Sequence, residues 1–366
     1  MSDRKLAVLG VIAVLMAGWA VLQNRISQNV NTVDFSSSPL ITGLQIEAVA
    51  GITVTSDKGQ KTTTLNRTGG GFVVANKDNY PVDVSRINNL INSCLDIRIH
   101  EKVTDNPDNH ADLGVTDETA QSRVSFLDKE GAEIVGMLVS KSGEKGGAFV
   151  RLVSGNDVYS IQSPPRIPTG AIDYVDPELL RIEQNKMQSV AVQTSGDSYV
   201  LAASEDKASV ELQDMPAGKQ YKGTDYKSVF GALNSLQFDN VVSEGNAPEA
   251  LKFDSSYTCT LEDKTVYRLQ LAQKDEKTYA KVSADYLDKT PVKKTVGEVE
   301  SEEELKAKEA KLLATDAVKA FNQKHQGWVY EIPSYKAGEL TKPLSELLED
   351  VPEPEPQPTA DPDAAG

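Results

Sequence analysis

With 54 acidic against 38 basic side chains and a net charge of −16, the 366-residue chain repels the phosphates that a nucleic-acid partner would present. The same sign disfavours peripheral attachment to anionic lipid. A content of 39% hydrophobic and 25% charged residues is that of a globular protein with length enough for two domains.

In chain order, the first feature is LAVLGVIAVLMAGWAVL, the run from Leu6 to Leu22 that follows MSDRK without a charge or a side-chain amide. As a helix rising about 1.5 Å per residue it would span roughly 25 Å, near the lower limit for crossing a hydrocarbon core. Arg4 and Lys5 precede it, and after Arg25 no basic residue occurs until Lys58. This asymmetry predicts a single N-terminal transmembrane helix over residues 1–23, with the N-terminus in the cytoplasm and the bulk of the chain periplasmic, on the outer side of the cytoplasmic (inner) membrane. The competing reading is a secretory signal peptide cut before Val21, with Gly18 and Ala20 as the small residues. Val21 and Leu22 prolong the apolar run past that cut, and Trp19 sits between the small residues. Both readings export the remaining chain.

Residues 24–43 read as a polar spacer. From residue 44 to 162 an α+β unit is expected. ITVTSD (Ile52 to Asp57), KTTTLN and FVVA (Phe72 to Ala75) are short strands divided by turn residues. In YPVDVSRINNLINSCLDI, Ile87, Leu90, Ile91, Cys94 and Leu95 recur at helical spacing, with Asp83 or Ser85 as N-cap. A polar loop follows, then a meander formed by SRVSFLDKEGAEIVGMLVS and AFVRLVSGNDVYSI. Residues 163–184 are proline-rich enough for a linker, in which Ile172, Tyr174 and Leu179 offer docking positions.

The second half repeats this order over residues 185–337. Ile52 and Val190, like Phe72 and Val210, stand 138 positions apart, while Ile87, Leu90, Ile91 and Cys94 lie 139 positions before Tyr226, Val229, Phe230 and Leu233. YKGTDYKSVFGALNSLQF is therefore read as the second helix, and YTCTLEDK, VYRLQLAQ and TYAKVS as the second meander. A charged insert at about 285–325 has no counterpart in the first half. Its Leu305, Leu312, Leu313, Ala317 and Phe321 are read as the narrow apolar stripe of one helix, either a docking element or a lid over the open end of its own sheet. Residues 338–366 are read as an acidic, proline-rich tail. The fold class expected is α+β: two tandem repeats of mostly antiparallel sheet packed on one helix, preceded by the transmembrane helix.

The chemistry-bearing residues form no constellation that names a reaction. TGGGF lacks the Gly-Lys-Ser/Thr of a phosphate loop and reads as a hairpin turn. DNPDNHAD (Asp105 to Asp112) has oxygen ligands enough for calcium but not the spacing of an EF-hand, and otherwise reads as a capped surface loop. His100, His110 and His325 are scattered, Ser198 reads as a turn residue, and Glu302 to Glu304 belong to a solvated helix. Cys94 and Cys259 each fall at an apolar position of a different unit and are read as separately buried thiols rather than a disulfide. No catalytic, cofactor-binding or metal-binding residue is assigned, and no cofactor is expected.

The turn-and-strand GGGFVVA, the helix entry Tyr80-Pro81, the loop ending in Leu113-Gly114-Val115, the FVRL…DVYSI hairpin and DPELLRIE together resemble the bacterial domain-of-unknown-function family numbered 4340, over roughly Leu44 to Tyr335. Phe72 stands where such proteins usually carry tryptophan. The resemblance implies an extracytoplasmic auxiliary component of an ABC transport system of the gliding-motility type, with permease and ATPase subunits as membrane partners, and it transfers no catalytic residues. The function expected is thus a non-catalytic, membrane-anchored interaction module. The alternatives are a ligand-binding protein for a glycan or peptide and, behind it, an envelope hydrolase.

Overall fold

A computed structural model describes residues 38–144, 146–292 and 301–352. In its first half the strands are β1 (Gly51–Ser56), β2 (Lys61–Thr68), β3 (Gly71–Val74) and β4 (Tyr80–Pro81), then helix α1 (Val84–Leu95), β5 (Glu101–Thr104), β6 (Ser122–Leu127), β7 (Glu133–Val139), β8 (Ala148–Leu152) and β9 (Val158–Ile161). The second half runs β10 (Glu178–Leu180), β11 (Met187–Gln193), β12 (Ser198–Ala203), β13 (Val210–Leu212), β14 (Lys219–Tyr221), α2 (Asp225–Phe230), β15 (Leu236–Gln237), β16 (Asn240–Ser243), β17 (Ser255–Leu261), β18 (Thr265–Lys274) and β19 (Lys277–Tyr286). It ends with α3 (Glu302–His325), β20 (Trp328–Ile332), α4 (Ser334–Leu340), α5 (Leu344–Leu347) and β21 (Leu348–Asp350). The chain divides into two compact units, Met1–Thr62 with Asn88–Thr169, and Thr63–Ile87 with Gly170–Gly366.

Within the first unit the sheet runs β1-β6-β7-β8-β9-β5, all described pairs being antiparallel. Alternation places Ile52 and Val54 of β1 on the buried side opposite Phe126 and Val124 of β6, while Thr53 and Thr55 lie on the other side. The chain between β5 and β6 covers part of the same sheet. Val115 and Ala120, with Leu113, pack on Leu138 and Val158 in a second small core. Asp83 caps α1 by accepting from the Ser85 and Arg86 amides, and Leu90, Ile91 and Cys94 turn inward.

In the second unit the sheet contains β11-β17-β18-β19-β20-β16, the same order of equivalent strands as in the first, with β12 and β13 continuing beyond β11. Tyr257, Cys259 and Leu261 of β17, and Ala280, Val282, Ala284 and Tyr286 of β19, are buried in strict alternation with polar neighbours. Asp275 and Glu276 make the two-residue turn between β18 and β19, at φ 50° and 62°. That left-handed geometry suits glycine. Glu276→Gly is therefore expected to stabilise this unit by about 0.5 kcal/mol, the relief of strain exceeding the extra entropy of the unfolded chain; a rise in the urea midpoint of unfolding checks it.

The expected fold class is corrected. Among the described residues the body is sheet-rich, and the two halves are not each a sheet on an equivalent helix. The helix expected over YKGTDYKSVFGALNSLQF is only α2 and a short 3-10 turn at Ala232–Ser235. Gly231 ends α2 at φ −87° and ψ 10°, outside the helical region, its N–H still bonding the Lys227 carbonyl. Among the described residues no helix is long and apolar enough to cross a membrane. The run Leu6 to Leu22, and with it the expected transmembrane helix over 1–23, lies outside the described residues.

Two further segments are more ordered than their composition implies. In the expected linker, Tyr174 and Leu179 are buried. Of the expected tail, residues 338–350 fold: Leu340 and Leu347 are buried, and β21 pairs with β14. Residues 353–366 lie outside the described residues.

Candidate functional site

Helix α3 dominates the asymmetric part of the second unit. Ser301 and Glu304 form a reciprocal cap at its start, the Glu304 amide donating to Ser301 Oγ and the Ser301 amide to Glu304 Oε2. Its second half packs on the sheet: Ala314, Val318 and Phe321 meet Tyr267 of β18 and Ala284 and Tyr286 of β19. The Asn322 carboxamide binds both backbone groups of Ala284, at 2.8 Å each. Lys311 ties the middle of the helix to Asp288 at 2.8 Å and to Thr290, and this ammonium holds the Asp288 carboxyl well below the usual carboxylate range.

The single apolar stripe read from the sequence is corrected into two faces. At about 100° per residue, Leu305 and Leu312 fall on nearly the same side, and Ala314, Val318 and Phe321 on roughly the opposite one. The second set is packed. Leu305, Leu312 and Leu313 remain 53%, 52% and 63% exposed. The helix therefore covers β18 and β19, interior strands of its sheet, rather than a sheet edge.

Beside the C-terminus of α3 lies a pocket of about 410 Å³. Gln270 of β18 and Lys281 of β19 reach it as cross-strand partners, with Ser283 two residues on. His325 and Gln326 come from the end of α3, and Trp328 from the start of β20. Gly327, at φ 83°, permits the sharp passage from helix to strand that puts them together. Lys281 is neutralised by Glu244 at 3.1 Å. His325 is 2% exposed, and its Nδ1 is 2.7 Å from the Tyr330 hydroxyl. That hydroxyl also hydrogen-bonds Tyr80, whose ring meets Trp328 edge to face at 4.8 Å. Burial, with the Lys324 charge behind it, pulls the His325 imidazole down to about 4, and burial raises Tyr330 and Tyr80.

Two sheet edges differ in their cover. In the second unit Asp78 accepts from the Ser243 amide of β16 at 2.8 Å and from Asn246 at 2.6 Å, while Lys77 donates to Asn240. In the first unit β5 ends its sheet with Glu101, Lys102 and Val103 exposed, its outer side guarded by charge. A pocket of about 390 Å³ on β1, β6 and β7 is lined by an internal ion-pair network. There Arg123 bridges Asp117 and Glu133 at 2.7 Å each, and Ser125 donates to Glu133 at 2.6 Å.

The motifs singled out in the sequence do not converge. Thr68 closes the TGGGF hairpin on the Gly71 carbonyl. In DNPDNHAD, Asp105 pairs with Lys102, Asn106 caps the Asp108 amide, and buried His110 bonds the Asn156 carbonyl through Nε2 at 2.9 Å. His100 contacts Gln162, Ser198 is exposed at the head of β12, and Glu302 and Glu303 lie in the first turn of α3. Among the described residues no three His, Cys, Asp or Glu side chains cluster as metal ligands. Cys94 and Cys259 are free and buried, and burial pushes both thiols up to about 12. Sequence reasoning missed Gln270, Ser283, Gln326 and Trp328; only the adjacency of Trp328 to the helical insert marked the place.

No curated protein and no solved structure matches the chain. The family model described as Domain of unknown function (DUF4340) matches residues 73–256, just over half of it. The match runs from β3 into β17, narrower than the span of the sequence resemblance, and leaves α3 outside. By this match the chain is a member of the DUF4340 family of domains of unknown function.

Proposed function

We propose that the protein is a non-catalytic interaction module, an auxiliary component of an ABC-type export system, that engages its partner through the outward face of α3. The observation that carries this reading is the exposure of Leu305 and Leu312 on the side of the helix away from its packed face, with Leu313 exposed on the adjoining flank. Large aliphatic side chains grouped on one helix face and flanked by charge favour an apolar groove with a charged rim. Lys306 and Glu302 supply such a flank, paired at 2.6 Å. The export-system setting comes from the sequence resemblance, and the extracytoplasmic location from the placement of Arg4, Lys5 and Arg25 around the apolar run.

Affinity purification of the full chain from membranes in mild detergent is expected to recover a permease or ATPase subunit. The double substitution Leu312→Asp, Leu313→Asp should abolish that recovery while changing stability by no more than about 0.5 kcal/mol, since both positions are exposed. In the same cells, protease added to spheroplasts should degrade the chain. Recovery undiminished by the double substitution would overturn the role of this face, and protection from protease would overturn the location.

A further inference from the structure

We propose that the pocket at the C-terminal end of α3 is a binding site for a neutral oligosaccharide. It stands independently of the leucine face, from which it differs in chemistry. The pocket's ionic pair is already closed, Lys281 on Glu244 at 3.1 Å, so a charged ligand would find no free counter-charge there. Its uncommitted groups are of another kind. The side chains of Gln270, Gln326 and Ser283 have no hydrogen-bond partner among the described residues, and His325 spends only Nδ1, on Tyr330.

Carboxamide, hydroxyl and neutral imidazole groups both donate and accept, or switch by rotation or tautomer. That versatility matches an array of sugar hydroxyls, each of which also does both. An apolar ligand would instead leave these groups unpaired and desolvated. The half-buried indole of Trp328 supplies the remaining element, a flat electron-rich face for the C–H face of a pyranose ring. Its volume, about 410 Å³, lies within the usual range of roughly 300–1,000 Å³ for small-ligand sites. Asn322, Gly327 and the Tyr330–Tyr80 pair hold these groups in place from behind, so the site is carried on a helix end and three strands rather than on a loop.

The chain has two tryptophans, Trp19 and Trp328, so Trp19→Phe leaves Trp328 as the sole indole reporter. The full chain, in a detergent without a sugar headgroup, is titrated with chitotriose, cellotriose, maltotriose and trialanine. At least one trisaccharide is expected to change the Trp328 emission saturably. Gln270→Ala with Gln326→Ala should weaken that response by about tenfold or more, through loss of two neutral hydrogen bonds, with the melting temperature unchanged. No saturable response to any trisaccharide, a response to trialanine alone, or equal affinity in the double variant would each overturn the proposal.

Discussion

Lowering the pH from 7 to 4.5 is expected to remove about 2–3 kcal/mol of stability from the second unit through His325 alone. The imidazole is 2% exposed, packed against Phe321 at 4.4 Å and bonded to Tyr330. Burial brings it down to about 4 from an ordinary 6.5. A base whose folded-state value lies below its unfolded one favours the fold in its neutral form. That contribution is complete above about pH 6.5 and is lost as the pH falls toward 4, because the unfolded chain takes up the proton first. At about 1.4 kcal/mol per pH unit, two units give the stated loss. The carboxyls held low by hydrogen bonds from neighbouring groups, Asp78, Asp83 and Asp285 among them, contribute in the opposite-charge sense. Their stabilisation is present above the ordinary carboxylate range and is lost at still lower pH. Urea unfolding followed by Trp328 emission in the Trp19→Phe chain, at pH 7 and pH 4.5, should show the difference, and adding His325→Phe should largely abolish it. An unchanged pH dependence in that variant would remove His325 as the cause.

Truncating Tyr257 is expected to be more damaging still. Its ring is fully buried in β17 between Val192 of β11 and Leu269 of β18. Its hydroxyl donates to the Val229 carbonyl at 2.7 Å and lies 3.3 Å from that of Phe230. These carbonyls end α2, where a helix leaves acceptors without intrahelical partners. A short helix has few other ties, so one tyrosine serves as both core and cap. Tyr257→Ala should cost about 3–5 kcal/mol, through the cavity and the exposed acceptors. Tyr257→Phe keeps the packing and should cost about 1 kcal/mol. Chemical denaturation of the two variants separates the contributions, and near-equal losses would show that the hydroxyl, not the ring, carries the effect.

The same contrast between local pattern and assembled context runs through the fold. Strands with one buried and one polar face were legible, since Ile52 and Val54 in β1 or Tyr257 and Cys259 in β17 alternate with threonine and serine. Strand β5 was not: Glu101-Lys102-Val103-Thr104 has no apolar face, and it is extended because β9 pairs with it. The two faces of α3 were not separable either. Leu312 and Phe321 look alike in a sequence, and only contact with Tyr267 tells the packed side from the open one.

Alone, the amino-acid sequence determined the charge balance, most strand positions, the extra helix of the second half and the family. These depend on composition and short-range periodicity, which act within a few residues. The tertiary structure decided the shared strand order of the two sheets, the early end of α2, the folding of residues 338–350 and the pocket. Gln270, Ser283 and Trp328 belong to three different strands. They meet because ladder register and the turn at Gly327 bring them together, and the long-range pairing that sets a register leaves no mark on the residues at either end of it.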